Sequence, residues 1–266
     1  MSTKPSGVIT ITTDFGHKGP FAAVMKGVIL NRFPDAKIID LTHEIPAQWP
    51  PEAGFWVSRS YQYFPLGTVH LAIVDPGVGT ERDILLVDHD NHFFIAPDNG
   101  LLARMLDNAD DATVFKLDPE ALCRLDIPTP SMTFHGRDIF APIAAEIAAG
   151  RTTPVAIGKP TCSWIPAWID EPEVCCGKVS GVIVTVDSFG NLISNIDEKL
   201  ISGMTEPVAR IGGHKIPMFP TYGRAKPGDY LALINSFGVL EIAKAEGSAA
   251  QSLGTERGAP ITIASR

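Results

Sequence analysis

Along the first 150 residues, apolar and polar positions switch repeatedly between the period of a strand and that of a helix. Val8–Thr13 runs apolar and stops at Asp14-Phe15-Gly16, which predicts a strand with an acid at its mouth. Gly19-Pro20 then opens a helical pattern in which Phe21, Val24, Met25, Val28 and Ile29 share one face, and Pro34 closes it. Lys37–Leu41 predicts a second strand, about Glu52 to Tyr63 a second helix, and Val69–Val74 a third strand that delivers Asp75. Three strand–helix alternations predict βαβ units and a mainly parallel sheet in an α/β sandwich domain.

The pattern then shortens. Ile84–Val87 and Phe93–Ala96 flank Asp88-His89-Asp90-Asn91-His92, the composition of a solvated hairpin turn. Asp98 or Asn99 is placed to cap a helix over Leu101–Leu106, Thr113–Leu117 predicts a strand, and Arg137–Ala149 predicts a helix ended by Gly150. Prolines at 154, 160, 166 and 172 interrupt the next stretch of chain. Residues 1–160 therefore form the expected N-terminal α/β domain and residues 161–177 a Pro-rich linker. Residues 178–266, a series of short strands separated by Gly212-Gly213 and Asn235-Ser236-Phe237-Gly238, are expected to form a C-terminal all-β barrel.

Composition changes this picture little. A length of 266 residues with 45% hydrophobic content supports a full core, and a net charge of −8 argues against nucleic acid or an anionic membrane as partner. The start, Met1-Ser2-Thr3-Lys4-Pro5, lacks the apolar core of a signal peptide, and no apolar run spans a bilayer, so a cytoplasmic location is expected. Cys123, Cys162, Cys175 and Cys176 contain no C-x-x-C and read as reduced thiols.

The chemistry concentrates at strand ends. Val74-Asp75-Pro76-Gly77-Val78-Gly79-Thr80-Glu81-Arg82 leads a buried strand into a tight turn, and Thr133-Phe134-His135-Gly136-Arg137-Asp138 presents a histidine before a helix. Acid, arginine and histidine together suit the orientation or activation of water. They suit a structural ion pair equally well. The sequence has no G-x-G-x-x-G after a strand, no G-x-x-x-x-G-K-[ST] and no G-x-S-x-G, so dinucleotide, P-loop and α/β-hydrolase chemistry lack their usual signatures.

Six stretches in register carry a resemblance. They are Thr12-Thr13-Asp14-Phe15-Gly16, Thr42-His43-Glu44-Ile45-Pro46, Val74–Gly79, Ala96-Pro97-Asp98-Asn99-Gly100-Leu101-Leu102, Thr133–Asp138 and Asp187-Ser188-Phe189-Gly190-Asn191. Asn235-Ser236-Phe237-Gly238 and Leu240-Glu241-Ile242-Ala243 extend the match nearly to the end. Together they resemble the S-adenosyl-L-methionine hydroxide adenosyltransferases, the SAM hydrolases related to fluorinase and chlorinase.

The resemblance implies hydrolysis of S-adenosyl-L-methionine to adenosine and L-methionine by water attacking C5′, without metal or cofactor. It also implies a homotrimer with active sites at subunit interfaces. The family's catalytic triad falls on Asp75, Arg82 and His135, and its ribose-binding acid on Asp14. Its adenine contacts fall on Phe189 and Asn191, its methionine contacts on Asp187 and Ser236, and an aromatic beside the adenine on Tyr222. Fluorinase carries tyrosine at the positions of Asp75 and His135, a halide-contacting serine at Gly136 and an arginine at Phe237; chlorinase shares the glycine. A carboxylate facing the nucleophile would repel a bare halide and hold water. A halide-using adenosyltransferase and a non-catalytic adenosine-binding module are the alternative readings.

Overall fold

The computed structural model describes residues 3–266; Met1 and Ser2, part of the start read above as lacking a signal peptide, lie outside them. The chain divides into two compact units, one running through Trp168 and one from Ile169 to Arg266.

The first unit contains β1 (Val8–Thr13), α1 (Phe21–Arg32), β2 (Lys37–Thr42), α2 (Pro50–Ser60), β3 (Val69–Ile73), β4 (Ile84–His89), β5 (His92–Pro97) and α3 (Ala103–Asp107). It continues through β6 (Thr113–Leu117), α4 (Glu120–Arg124), α5 (Ala141–Ala148), α6 (Pro154–Ile157) and β7 (Gly158–Pro160). The sheet order is β2-β1-β3-β5-β4-β6-β7. The β2–β1, β1–β3 and β3–β5 pairings are parallel, whereas β5–β4, β4–β6 and β6–β7 are antiparallel. The sheet is therefore mixed where the alternation pointed to a mainly parallel one. The β4–β5 hairpin reverses the chain between two sequential strands without the crossover helix that parallel pairing requires.

Side chains from β3 explain a run that is apolar but for His70. Val69, Leu71 and Ile73 enter a core shared with Met25 and Ile29 of α1 and Ile143 and Ile147 of α5. Ala72 and the following Val74 enter another with Ala53 and Val57 of α2 and Leu102 and Met105 at α3. A strand covered on both faces has no polar side.

Helix α1 turns differently from the expectation. Its buried face is Ala22, Met25 and Ile29, while Phe21 and Val24 are exposed.

The β4–β5 turn has Asp90 and Asn91 at φ 49° and 58°, as a type I′ hairpin needs. His92, expected to be solvated there, is instead buried and pairs with His70 at 3.2 Å. Strand pairing carries it under Tyr61, and burial followed by the neighbouring His92 pushes His70 down to about 3.

The second unit contains β8 (Glu173–Cys175), β9 (Lys178–Val186), β10 (Leu192–Asp197), β11 (Val208–Ile211), β12 (His214–Pro217), β13 (Tyr230–Ile234), β14 (Val239–Lys244), α7 (Ala249–Leu253) and β15 (Pro260–Ala264). The order β12-β11-β15-β9-β10-β14-β13 is antiparallel throughout, with β8 added to β9. A bridge between Met218 and Ala232 brings the two ends together, so the sheet is nearly closed around Val179, Ile183, Ile196, Ile242 and Ile263. All four cysteines are free and exposed. Among the described residues no helix is long and apolar enough to cross a membrane.

One helical glycine shows how tightly the first unit is built. A Cβ on Gly54 of α2 would collide with the Leu101 carbonyl oxygen. Although alanine is the better helix former, Gly54→Ala is expected to destabilise the protein by about 1–3 kcal/mol through overpacking. A lower urea midpoint at unchanged slope is the readout.

Candidate active site

Strands β1 and β3 are parallel neighbours, with Thr13 opposite Ile73. Asp14 and Asp75 therefore leave the same edge of the sheet, at the carboxyl ends where open α/β sheets bind ligands.

The turn after β3 is held by its own polar groups. The Gly77 N–H donates to Asp75 Oδ1 at 3.2 Å, and Thr80 Oγ1 donates to the Gly77 carbonyl at 2.7 Å. Gly79, at φ 80°, approaches the Met132 carbonyl so closely that a Cβ would collide with it. That approach sets the Asp75–Arg82 turn against the segment leading to His135. Behind the turn, the Asn99 side chain donates to the Val74 carbonyl at 2.8 Å and accepts from the Leu101 N–H at 3.2 Å. Neither Asp98 nor Asn99 caps α3, which begins after Leu102; Asn99 braces the end of β3, and Asp98 accepts from the Ile165 N–H at 2.8 Å.

Gly136–Phe140 forms a π-type turn before α5, where a regular helix from Arg137 was expected. Such turns concentrate at functional sites because the extra residue re-aims its neighbours. Asp138 accepts from the Ser131 N–H at 2.9 Å and from Ser131 Oγ at 2.5 Å. Arg137, followed by those bonds, holds its carboxyl well below the usual range. Arg137 is thereby spent on Asp138 and on the Phe134 ring, 5.3 Å away.

The three residues expected to form one site do meet. Arg82 Nε and Nη2 donate to Asp75 Oδ2 at 2.8 and 2.5 Å, and Nη2 also donates to His135 Nδ1 at 3.0 Å. The Asp75 and Arg82 side chains are 5% and 10% exposed, and His135 is buried. The Arg82 guanidinium lies 5.4 Å from the Phe140 ring centroid.

Arginine only donates, so His135 Nδ1 accepts and a neutral ring carries its hydrogen on Nε2. Burial first, then Arg82, lowers the His135 pKa; Asp75, Asp138 and a hydrogen bond with the Ser131 backbone act the other way. Asp75 Oδ2 takes both arginine bonds, while Oδ1 takes only the longer Gly77 contact. Within the cluster, Oδ1 is thus the oxygen with acceptor capacity left for a water.

Asp14 does not join this cluster directly. Its Oδ2 accepts from the Gln48 N–H at 2.9 Å, and Gln48 is held at φ 60°. The next residue, Phe15, packs edge-on against Phe134 at 5.9 Å, beside His135. A side chain at Gly136 would press on Met25 Sδ and Phe134 at 3.2 Å. Asp40, inside β2, is an ion-pair residue: burial opposes its charge, but the Lys26 bond (2.6 Å) and the His43 ring 3.1 Å away prevail and lower its pKa.

In the second unit Asp187, Phe189, Asn191 and Tyr222 line one cavity of about 930 Å³. Asp187 Oδ1 accepts from the Phe189 and Asn191 N–H groups and Oδ2 from Asn191 Nδ2, all at 2.9 Å. A carboxylate has about four acceptor positions, so one remains for a ligand. Gly190, at φ 81°, lets the loop press against Ser248, which caps α7 by accepting from the Gln251 N–H at 3.1 Å. Phe189 is 77% exposed, an aromatic face with little of its own to cover it.

Ser236 does not line this cavity; it is exposed on the Asn235–Gly238 turn. Sequence reasoning assigned no ligand role to Glu241, Asn235 or Ser248: Glu241 bonds to Tyr222 and Asn235, and Ser248 lines the cavity. A lone glutamate between Leu240 and Ile242 was the available signal for the first. Among the described residues, no three His, Cys, Asp or Glu side chains gather as a metal site.

Both units have well-matched relatives. The model of the SAM hydroxide adenosyltransferase N-terminal domain matches residues 9–158, and that of the C-terminal domain matches residues 181–262. The "(R)-S-adenosyl-L-methionine hydrolase" of Thermus thermophilus is 34% identical over 94% of this chain and 97% of its own length. A fluorinase of Actinoplanes is 25% identical over 99% of each chain. The crystal structure of an uncharacterized conserved protein from Thermotoga maritima superposes with a TM-score of 0.87 at 35% identity, over 96% of this chain and 99% of the other.

The His135 environment has a measurable consequence. Its NMR titration midpoint should lie below the ordinary value of about 6.5. Replacing Arg82 by leucine removes a lowering influence and leaves Asp75 unopposed, so the midpoint should rise. Because the folded value is the depressed one, this group's contribution to stability is present above about pH 6.5 and lost as the pH falls. A midpoint unmoved in Arg82→Leu would exclude the contact.

Proposed function

The chain belongs to the SAM hydroxide adenosyltransferase family, and we propose that its Asp75–Arg82–His135 cluster holds the water that performs the family's hydrolysis. The enzyme cleaves S-adenosyl-L-methionine to adenosine and L-methionine. Water oxygen bonds to C5′, the C5′–S bond breaks with its electron pair going to sulfur, and one water proton is released. Sulfur leaves as a neutral thioether, so no acid or electrophile is needed at the leaving group, and no metal or cofactor is proposed.

The carrying observation is the single guanidinium that donates to both Asp75 and His135. It leaves Asp75 Oδ1 to orient the water and take its proton as the C–O bond forms. His135 Nδ1 already accepts from Arg82, which favours Asp75 over His135 as that acceptor. The sulfonium charge disperses during attack, so a carboxylate against sulfur would stabilise the ground state more than the transition state. Asp75 therefore faces C5′ from the side opposite sulfur. Asp14 is assigned to the ribose, Phe189 and Asn191 to adenine with Tyr222 beside it, and Asp187 and Ser236 to the methionine portion.

We propose further that the active protein is a cytoplasmic homotrimer, with sites where copies of the chain meet. Exposed apolar residues on α1 and the edge strand β2, among them Val24, Leu30 and Ile39, support a covered face there. The name of the Thermus relative specifies the R configuration at sulfur, and the same preference is proposed here. From an epimeric mixture, only the R form should disappear on chiral separation.

Turnover in water enriched in heavy oxygen tests the main reading. The label should appear in the 5′-hydroxyl of adenosine, and Asp75→Ala, Arg82→Ala and His135→Ala should each lower kcat by about 10²–10⁴-fold, the range of positioned acid–base groups. Full activity should persist in chelator. Undiminished rates in all three variants would remove the cluster from the chemistry. Formation of 5′-chloro-5′-deoxyadenosine in chloride would favour the halide reading, and binding without methionine release a non-catalytic one.

A further inference from the structure

Glu241 is a buried acid with no part in the proposed hydrolysis. It lies in the middle of β14, 2% exposed, in a strand whose other buried residues are Val239, Leu240, Ile242 and Ala243. Such a position ordinarily favours an apolar side chain, because a buried carboxylate must recover its lost hydration from hydrogen bonds. Its two bonds come from separate segments. Tyr222 Oη donates to Oε1 at 2.7 Å, and Asn235 Nδ2 donates to Oε2 at 3.1 Å.

Each donor leads to one part of the proposed site. Tyr222 lines the cavity with Phe189 and Asn191. Asn235 Oδ1 accepts from the Phe237 N–H at 3.0 Å and the Val239 N–H at 3.4 Å, so the Asn235 amide shapes the turn that carries Ser236. Those two bonds also fix which way the amide points. Its oxygen is committed to the turn, and its nitrogen must face Glu241. Burial, the largest influence, and Asp187 raise the Glu241 pKa, while the bonds from Tyr222 and Asn235 act to keep it ionised.

We propose that Glu241 is a positioning residue that couples Tyr222, on the adenine side, to the Ser236 turn, on the methionine side. The two halves of the substrate are thereby gripped at a set separation. This rests on the proposed assignment of those residues to the substrate. Removing the carboxylate and replacing it by the amide should therefore differ. Glu241→Leu takes away both acceptors, so Tyr222 and the Ser236 turn are released together. In Glu241→Gln the amide oxygen can meet Asn235 Nδ2 while its NH2 donates to the Tyr222 hydroxyl, which can accept, so the bridge is kept.

Calorimetry with two non-reacting ligands reads this independently of turnover. S-Adenosyl-L-homocysteine spans both halves, and adenosine only one. Glu241→Leu should weaken S-adenosyl-L-homocysteine, which needs both halves, about tenfold, the size expected for losing one charge-assisted bond, and adenosine by less, while Glu241→Gln should stay within about twofold of wild type for both. Tyr222→Phe, at a half-exposed position that should fold normally, should weaken both ligands. Equal losses for the two ligands in Glu241→Leu, no loss in a folded Glu241→Leu, a Glu241→Gln as weak as Glu241→Leu, or unchanged adenosine affinity in Tyr222→Phe would each overturn the proposal. Absence of hydrolysis in the wild type would defeat the proposed reaction while leaving the affinity ratio to decide the role of Glu241.

Discussion

One guanidinium governs the first unit's chemistry. Arg82 spends its hydrogen bonds on Asp75 and His135 together, and each of these alone would carry a penalty there. An unpaired carboxylate 5% exposed is costly, and a histidine beside an unshared arginine would face an uncompensated positive charge. Joined, the three leave one carboxylate oxygen lightly used and one imidazole neutral. The arrangement has little freedom to drift, because the Phe140 ring lies against the guanidinium and Gly79 holds the turn against Met132.

That rigidity is inherited from packing well away from the charges. Gly54 lets α2 approach the Leu101 carbonyl. Leu101 is bonded to Asn99, and Asn99 to the carbonyl of Val74, the residue before Asp75. On the other side, Asp138 ties Ser131 and Arg137 into the segment that presents His135. Asp98 and Asn99, which read as caps, are therefore braces that hold backbone. The second unit obeys the same logic: Asp187 organises its own loop before it can meet a ligand, and Glu241 spans two loops from within the sheet.

Much of this was legible along the chain because its causes are local. Val69–Val74 had to be a strand covered on both faces, since nothing else absorbs so long an apolar run. Asp14 and Asp75 had to sit where such strands end, and Asp90-Asn91 had to turn. The grouping of Asp75, Arg82 and His135, with six stretches in register, was also readable before any geometry. The limits were equally physical. Half of the sheet's pairings are antiparallel, and periodicity carries no strand direction. His92 looked solvated because its neighbours in sequence are polar, but its neighbours in space are Tyr61, His70 and Phe94.

By itself, then, the sequence determined the element types, the acids that follow β1 and β3, the residues proposed to hold the water and the family. Tertiary structure decided which of them touch. It committed Arg137 to Asp138 and Asp40 to Lys26, left Arg82 to join an acid 7 residues before it and a histidine 53 residues after it, and gave Glu241 two partners that no spacing foretells. Hydrogen-bond donors are shared out by distance in three dimensions. Only the packed chain, with every buried polar group requiring a partner, makes that allocation.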